Sequence, residues 1–411
     1  MQLSIIYWIK RGDKLKQKID FEKEYGVVLE GGGAKGAYQI GVWRALREYG
    51  IKIKGISGVS VGALNGALIC MDDYEKAKSL WENIAYSQIM NVDDIKMDNL
   101  IKRNLSEVSL SELRKDTTKF LMDKGIDVSP LRELIKSHID EDKIRSSPIE
   151  LIISTFSVSQ RKELDINVKE LESGLICDYL MGSAYFPAFK KEKLHGQKYL
   201  DGGVVNNVPI NHLISRGYKD IIVIRIYGMG LEKNVKIPTD VNVIEIAPRV
   251  DLGNILEFDH RKSRRNIKIG YYDGLRSMRD LAGKNYYIEG THSEDYYAKL
   301  LTQISIKSCE KLFRLYRIEI TNPSLFIRML FEEVYPLLAK DLKLEKDWSY
   351  KELFLTMVEI CARRIKIQKY QVYTETELCS LVHELREKIE LKQSDEITLV
   401  GALLDLIEGL N

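Results

Sequence analysis

Gly26-Val27-Val28-Leu29-Glu30-Gly31-Gly32-Gly33-Ala34-Lys35-Gly36 is the stretch on which the fold turns. A short apolar run stopped by glycines reads as a buried strand that breaks into a loop. Behind it Ile40, Trp43, Ala45, Leu46 and Tyr49 recur near helical spacing until Gly50, which predicts a helix and its stop. Ile51 to Ile56 alternates apolar residues with Lys or Gly as a second strand does, Ser57 to Gly62 makes a turn, and Ala63 to Met71 forms a helix of small residues. A βαβα opening favours a parallel sheet with helices on its faces.

Working outward, strand signals return at Ile149–Ser157, Glu163–Val168, Lys198–Leu200, Ile221–Tyr227 and Val241–Ala247. Between them, residues 73–145 read as a charged, mostly helical insertion punctuated by Asn91, Asn104 and Pro130. Past about residue 290 the strand-turn alternation ends and apolar residues recur at helical spacing. Leu353, Met357, Ile360 and Cys361 show it, then Leu378, Leu381, Val382, Leu385 and Ile389, then Leu403, Leu404 and Ile407. The expected organisation is an N-terminal extension over 1–24, an α/β domain over 25–290 and a helical domain over 291–411, with no internal repeat.

The chain has 411 residues, enough for two or three domains at about 150 residues each. Its 45% hydrophobic and 30% charged content lies far from the composition of disordered chains. Lys plus Arg (62) nearly cancels Asp plus Glu (60), a net charge of +2, so no global charge argues for a nucleic-acid partner. The five cysteines are odd in number, scattered and without Cys-x-x-Cys spacing; they read as reduced thiols, not as a disulfide frame or zinc site. Leu3 to Ile9 precedes Lys10 and Arg11, the reverse of an export signal. The longest uncharged run, Gly55 to Met71, contains four Gly, two Ser and an Asn and falls short of the roughly 20 residues of a spanning helix. A cytoplasmic protein is expected.

Gly31-x-Gly33-x-x-Gly36, after a strand and opening a helix, has the context of a dinucleotide-binding fingerprint. That reading requires an acid at the end of the second strand, and none occurs there before Asp72. A phosphate-binding P-loop fails as well, because Ala37 and Tyr38 follow Gly36 where Lys and Ser/Thr are needed. The place is filled by Gly58-Val59-Ser60-Val61-Gly62. Gly58 and Gly62 allow a tight strand-to-helix turn that holds the Ser60 Oγ out at the carboxyl end of the sheet, beside a helix N-terminus that favours developing negative charge. A nucleophilic serine needs oxyanion donors, for which the backbone N–H groups of Gly31–Ala34 are suited. It also needs a base, and Tyr199-Leu200-Asp201-Gly202-Gly203 is a strand ending in an acid.

Each residue has a structural alternative. Ser60 could sit in a plain turn, and Asp201 could cap the turn through Gly202 and Gly203. Lys35 is an anion or headgroup contact, or a solvated lysine. His212 follows Asp201 in the Ser…Asp…His order of α/β-hydrolases, but that fold does not place glycine loop and serine turn in consecutive βα units. His195 lies six residues before Asp201, up to about 20 Å along a strand. Both histidines read as satisfied surface or core residues.

Glu30 to Tyr38, the serine turn with Ala63, Gly66 and Ala67, then Ser183-Ala184-Tyr185-Phe186-Pro187, and Leu200-Asp201-Gly202-Gly203 with Asn207 and Pro209 resemble the patatin-like phospholipases. The four blocks occur in that family's order over residues 25 to about 290. The resemblance implies a three-layer α/β/α fold with a mostly parallel central sheet and a Ser–Asp dyad, without histidine, acting on acyl esters of lipids. It implies Ser60 as nucleophile, Asp201 as proton acceptor, and Gly31, Gly32, Gly33, Ala34, Lys35 and Gly36 as the oxyanion loop. Gly58 and Gly62 flank the elbow, and Gly202 and Gly203 complete the Asp-Gly-Gly turn. No metal or cofactor is required. The loop opens with Glu30 where many members have Asp, and no resemblance covers the last 120 residues or so.

The expected function is therefore a serine acyl hydrolase of phospholipids, of phospholipase A or lysophospholipase type, peripheral at the inner membrane face. The alternative is a regulated effector whose patatin domain is gated by the C-terminal domain or a ligand. Arg261, Arg265, Lys268, Tyr272, Arg276 and Arg279 form one basic stripe opposite Ile267, Tyr271, Leu275 and Met278. It reads as the solvated face of a packed helix, with docking on anionic headgroups as the functional alternative. Lipid specificity and oligomeric state are not legible.

Overall fold

The computed structural model describes residues 18–104, 125–190, 192–194, 196–320, 322–388 and 398–410. His195, Ile389, most of the N-terminal extension and residues 105–124 of the insertion lie outside the described residues. The chain packs as two units, Met1–Met278 and Arg279–Asn411.

In the first unit β1 (Glu24–Leu29), α1 (Ala37–Glu48), β2 (Lys52–Val59) and α2 (Val61–Cys70) form the expected opening. β2 runs on past Ile56 because Ser57 and Gly58 pair on both sides, with Val28 and Leu29 of β1 and with Ile152 and Ile153 of the next strand. That strand is β3 (Glu150–Ser157), followed by β4 (Lys162–Asn167), β5 (Tyr199–Asp201), β6 (Asp220–Ile224) and β7 (Asn242–Ile246). The sheet order is β4-β3-β2-β1-β6-β7, with β5 also on β3. All neighbours are parallel except β4 and β5, which run antiparallel to β3. β6 ends at Ile224, short of the expected Tyr227. The N–H groups of Ile226, Tyr227 and Gly228 leave the ladder and donate to the Glu30 carboxylate instead.

Strand alternation gives this mostly parallel sheet two buried faces, each covered by helices. Val28, Ile152, Ile221 and Val223 share a core cluster with Ile210 and Leu213 of the helix Ile210–Ser215. On the other face Gly66 of α2 lies so close to Leu151 and Ile56 that a Cβ there would sit 2.9 and 3.0 Å from them. Outside that layer the long helix His260–Arg279 approaches α1 at backbone distance: a Cβ on Gly270 would lie 2.0 Å from the Tyr38 carbonyl. The basic stripe is accordingly incomplete. Arg276 turns inward to Asp273 at 2.8 Å, while Arg261, Arg264, Arg265 and Lys268 are exposed.

The second unit is mostly helical, as its spacing predicts. Glu294–Leu301, Ile306–Tyr316, Tyr350–Arg364, Glu375–Lys388 and Leu399–Glu408 surround a core that includes Leu312, Tyr335, Leu353, Met357, Leu403 and Leu406. The segment Phe326–Asp341 is interrupted by a π-turn at Leu330–Val334. Two short parallel strands, β8 (Tyr287–Glu289) and β9 (Val372–Thr374), were not expected; three residues are too few to display period-2 alternation. Buried Glu359 accepts the N–H groups of Asn285 and Tyr286 at 2.9 and 2.8 Å. Among the described residues no helix is long and apolar enough to cross a membrane.

Candidate active site

The turn from β2 to α2 is strained at one residue. Ser60 has φ 54° and ψ −127°, an uncommon conformation for a residue with a Cβ, at a cost of order 1–3 kcal/mol. The flanking glycines make it possible. A Cβ at Gly58 would sit 2.5 Å from Gly62, and one at Gly62 would sit 2.2 Å from the Leu29 carbonyl. The Ser60 N–H donates to Ser183 Oγ at 2.8 Å, and Ser183 Oγ donates to the Ser154 carbonyl at 2.6 Å. Ser183 is fully buried.

Strand register brings Asp201 to the same point. β2 pairs with β3 as far as Val59 opposite Ser154. β4 occupies the other edge of β3, so β5 takes the edge that β2 vacates, with Asp201 opposite Thr155. Asp201 is buried, lines the same cleft as Ser60, and accepts the Gly203 N–H at 2.8 Å. The turn-capping role and the place beside Ser60 therefore coexist. Burial pushes the carboxyl up to about 6, against the opposing pull of the neighbouring Ser60 hydroxyl and the Gly203 N–H.

The glycine loop is fixed from below by a buried polar network. Gln39 Nε2 donates to the Glu30 carbonyl at 2.7 Å, Asn65 Nδ2 to the Gly36 carbonyl at 3.0 Å, and Trp81 Nε1 to Asn65 Oδ1 at 2.9 Å. Glu30, 1% exposed, accepts three backbone N–H groups and pairs with Arg225 at 3.0 Å. Asn207 Nδ2 donates to the Gly31 carbonyl at 3.0 Å. The loop's own amides divide. Gly31, Ala34 and Lys35 donate to the carbonyls of Asn207, Ile255 and Gly32, and Gly36 lies inside the 3-10 turn Gly33–Gly36. Among the described residues nothing accepts the N–H of Gly32 or Gly33, and both line the cleft that holds Ser60 and Asp201. Lys35 Nζ donates to the Tyr227 carbonyl at 2.7 Å, and burial lowers its pKa.

The cleft, with roughly 1000 Å³ of empty space counting its open mouth, is apolar beyond this polar end. Leu131 and Ile135 from the helix Ser129–His138, Phe186 and Phe189, and Ile255 and Phe258 form its walls. His212 is elsewhere: its ring lies between Ser57 Oγ at 3.4 Å and Glu163 at 3.2 Å, a satisfied core histidine. Sequence patterning quoted Ser183 and Asn207 without a task for either and missed the network of Gln39, Asn65 and Trp81. Single polar residues inside apolar helices were its only trace.

A strained serine at the carboxyl edge of a mostly parallel sheet, next to a buried acid and a glycine loop, is an arrangement able to supply a nucleophile, a base and oxyanion donors. Residues 27–214 match the family model described as patatin-like phospholipase. The Caenorhabditis elegans patatin-like phospholipase domain-containing protein ZK370.4 is 29% identical over 208 residues, 48% of this chain and 13% of that protein. Neuropathy target esterase sws of Drosophila sechellia is 55% identical over 47 residues, 11% of this chain and 3% of its own length. The chain thus spans a small fraction of the curated relatives it matches. The crystal structure of VipD from Legionella pneumophila aligns over 98% of this chain and 96% of that one, with 14% identity and a TM-score of 0.39.

Proposed function

We propose that the first unit hydrolyses ester-linked acyl chains of lipids, with Ser60 as nucleophile and Asp201 as base. The observation that carries this reading is the strained Ser60 and the buried Asp201 carboxyl lining one apolar cleft. Asp201 takes the Ser60 proton as Oγ attacks the ester carbonyl. The unengaged amides of Gly32 and Gly33 stabilise the tetrahedral oxyanion, and the departing alcohol takes the proton back from Asp201. Water then attacks the acyl-enzyme, giving its proton to Asp201, and the fatty acid leaves as Ser60 regains a hydrogen. A carboxyl with a pKa of about 6 is a stronger base than an ordinary aspartate near 3.9, yet it is ionised at neutral pH. The apolar walls match an acyl chain, and a lipid substrate implies a peripheral encounter with a membrane surface.

The test is acyl release from phospholipid vesicles and from a small water-soluble ester by wild type, Ser60→Ala and Asp201→Asn. Each substitution is expected to lower the rate at least about a thousandfold with the fold intact. Full activity in either variant defeats the dyad. Identifying the ester left in the product fixes phospholipase or lysophospholipase type.

A further inference from the structure

Among the described residues, large apolar side chains of the first unit that remain exposed are scattered except at one place. Tyr227, Met229 and Leu231 are 40, 45 and 65% exposed, all in the loop that leaves β6. This loop is firmly seated. Tyr227 and Gly228 donate to Glu30, the Leu231 N–H donates to the Gly203 carbonyl at 2.9 Å, and the Leu231 carbonyl accepts the Asn207 N–H at 2.6 Å. A Cβ at Gly228 would lie 1.8 Å from the Gly31 carbonyl, and one at Gly230 would lie 2.6 Å from that of Gly203. Residues 227–231 therefore rest on both the glycine loop and the Asp201-Gly202-Gly203 turn, and their backbone anchors hold Leu231 out in water. A clustered apolar exposure of this kind marks an interaction surface.

Two features identify the occupant. Met229 is exposed and also lines the cleft, so the apolar lip reaches from solvent into the cavity that holds Ser60. The cleft wall of Ile255, Leu256 and Phe258, which packs on the same glycine loop, leads into the helix that begins at His260. From His260 to Tyr272 there is no acidic residue, and Arg261, Arg264, Arg265 and Lys268 are exposed. One apolar rim and one cationic rim fit a bilayer, with its acyl boundary and its phosphates. A protein partner could cover the apolar rim, but it would have no use for a lip that reaches into the cavity of Ser60.

We propose that residues 227–231 form a membrane-docking lip. Leu231 and Met229 enter the acyl boundary, the arginines at 261, 264 and 265 meet the phosphates, and a lipid chain passes over Met229 to Ser60. This rests on the lipid-hydrolase function proposed above, which supplies the traffic through the cleft.

The experiment is co-sedimentation of the full chain with phosphatidylcholine vesicles, with and without phosphatidylglycerol, comparing wild type, Leu231→Ser and Leu231→Trp. Loss of one partly inserted leucine is expected to weaken partitioning about tenfold. Leu231→Trp is expected to bind at least as well as wild type and to give a blue-shifted emission with vesicles. Hydrolysis of a water-soluble ester is expected to be unchanged in Leu231→Ser while hydrolysis of vesicles falls in step with binding. Equal binding by Leu231→Ser, or no binding of wild type to protein-free vesicles, overturns the lip; the second result gives the surface to a protein partner. Leu231-dependent binding without acyl release from any ester supports the lip and defeats the hydrolase reading alone.

Discussion

Ser183 Oγ accepts the backbone N–H of Ser60 at 2.8 Å and passes its own hydrogen to the Ser154 carbonyl at 2.6 Å. The strained backbone of the expected nucleophile is thus tied to β3 through a buried side chain. Ser183→Ala would leave a buried N–H and a carbonyl unpaired, a cost of about 1–3 kcal/mol. The expected result is a lower melting temperature and a kcat reduced about tenfold at nearly unchanged KM, because Ser60 loses its aim while the cleft keeps its shape. Steady-state kinetics with a thermal melt checks it; a raised KM at unchanged kcat would contradict this positioning role.

Burial of Asp201 sets a pH dependence. With a pKa of about 6, kcat/KM is expected to rise with pH through about 6 and to level off above it, because the base works only when ionised. The same shift has an opposite consequence for stability. The folded pKa lies above the ordinary 3.8, so the stability this group contributes is complete below about pH 3.8 and lost as pH rises through about 6. Asp201→Asn escapes that loss and is expected to be more stable than wild type at pH 8, by up to about 3 kcal/mol. The gain should vanish towards pH 4. Melting temperatures of both proteins across this range give the answer.

Gly33 has φ 53°, and a Cβ there would lie 2.1 Å from the Ile255 carbonyl, the acceptor of the Ala34 N–H. Gly33→Ala must displace the loop or the Ile255 segment. A loss of about a hundredfold in rate is expected, the scale of one misplaced oxyanion donor. Gly50 is the control: it has φ 67° with nothing within 4 Å of a Cβ. Gly50→Ala should cost about 1 kcal/mol of strain and leave the rate unchanged.

Glu30 is buried with Arg225 and three backbone donors. Glu30→Gln puts an amide among the three backbone N–H groups and takes from Arg225 its most buried carboxylate, leaving it Glu232 and Glu245. A loss of about 3–5 kcal/mol is expected, visible as a large drop in denaturation midpoint and a loss of activity as the loop carrying Gly32 and Gly33 loosens. Midpoint and m-value from urea unfolding separate destabilisation from a change in the unfolded state.

The βαβα opening, the serine turn and the acid at the end of Tyr199–Asp201 were legible because each is local: strand period, glycine punctuation and a terminal acid lie within ten residues. The Ser183–Ser60 bond was not legible, because it joins segments whose contact depends on sheet register. The division of labour among the loop amides was hidden for the same reason. Gly31, Ala34 and Lys35 look identical to Gly32 and Gly33 in sequence, and only the carbonyls of Asn207 and Ile255, brought from far along the chain, distinguish them. The inward turn of Arg276 defeated a helical-face argument, since Asp273 sits one turn away on the buried side.

β3 carries neither Ser60 nor Asp201, yet both take their position from it. Ser154 receives the Ser183 hydrogen that steadies Ser60, and its neighbour Thr155 pairs with Asp201 and donates through Oγ1 to the Leu200 carbonyl at 3.0 Å. The strand works as a jig: two workpieces clamped to adjacent notches keep their spacing when the bar itself shifts. A tilt of β3 is therefore expected to carry Ser60 and Asp201 together.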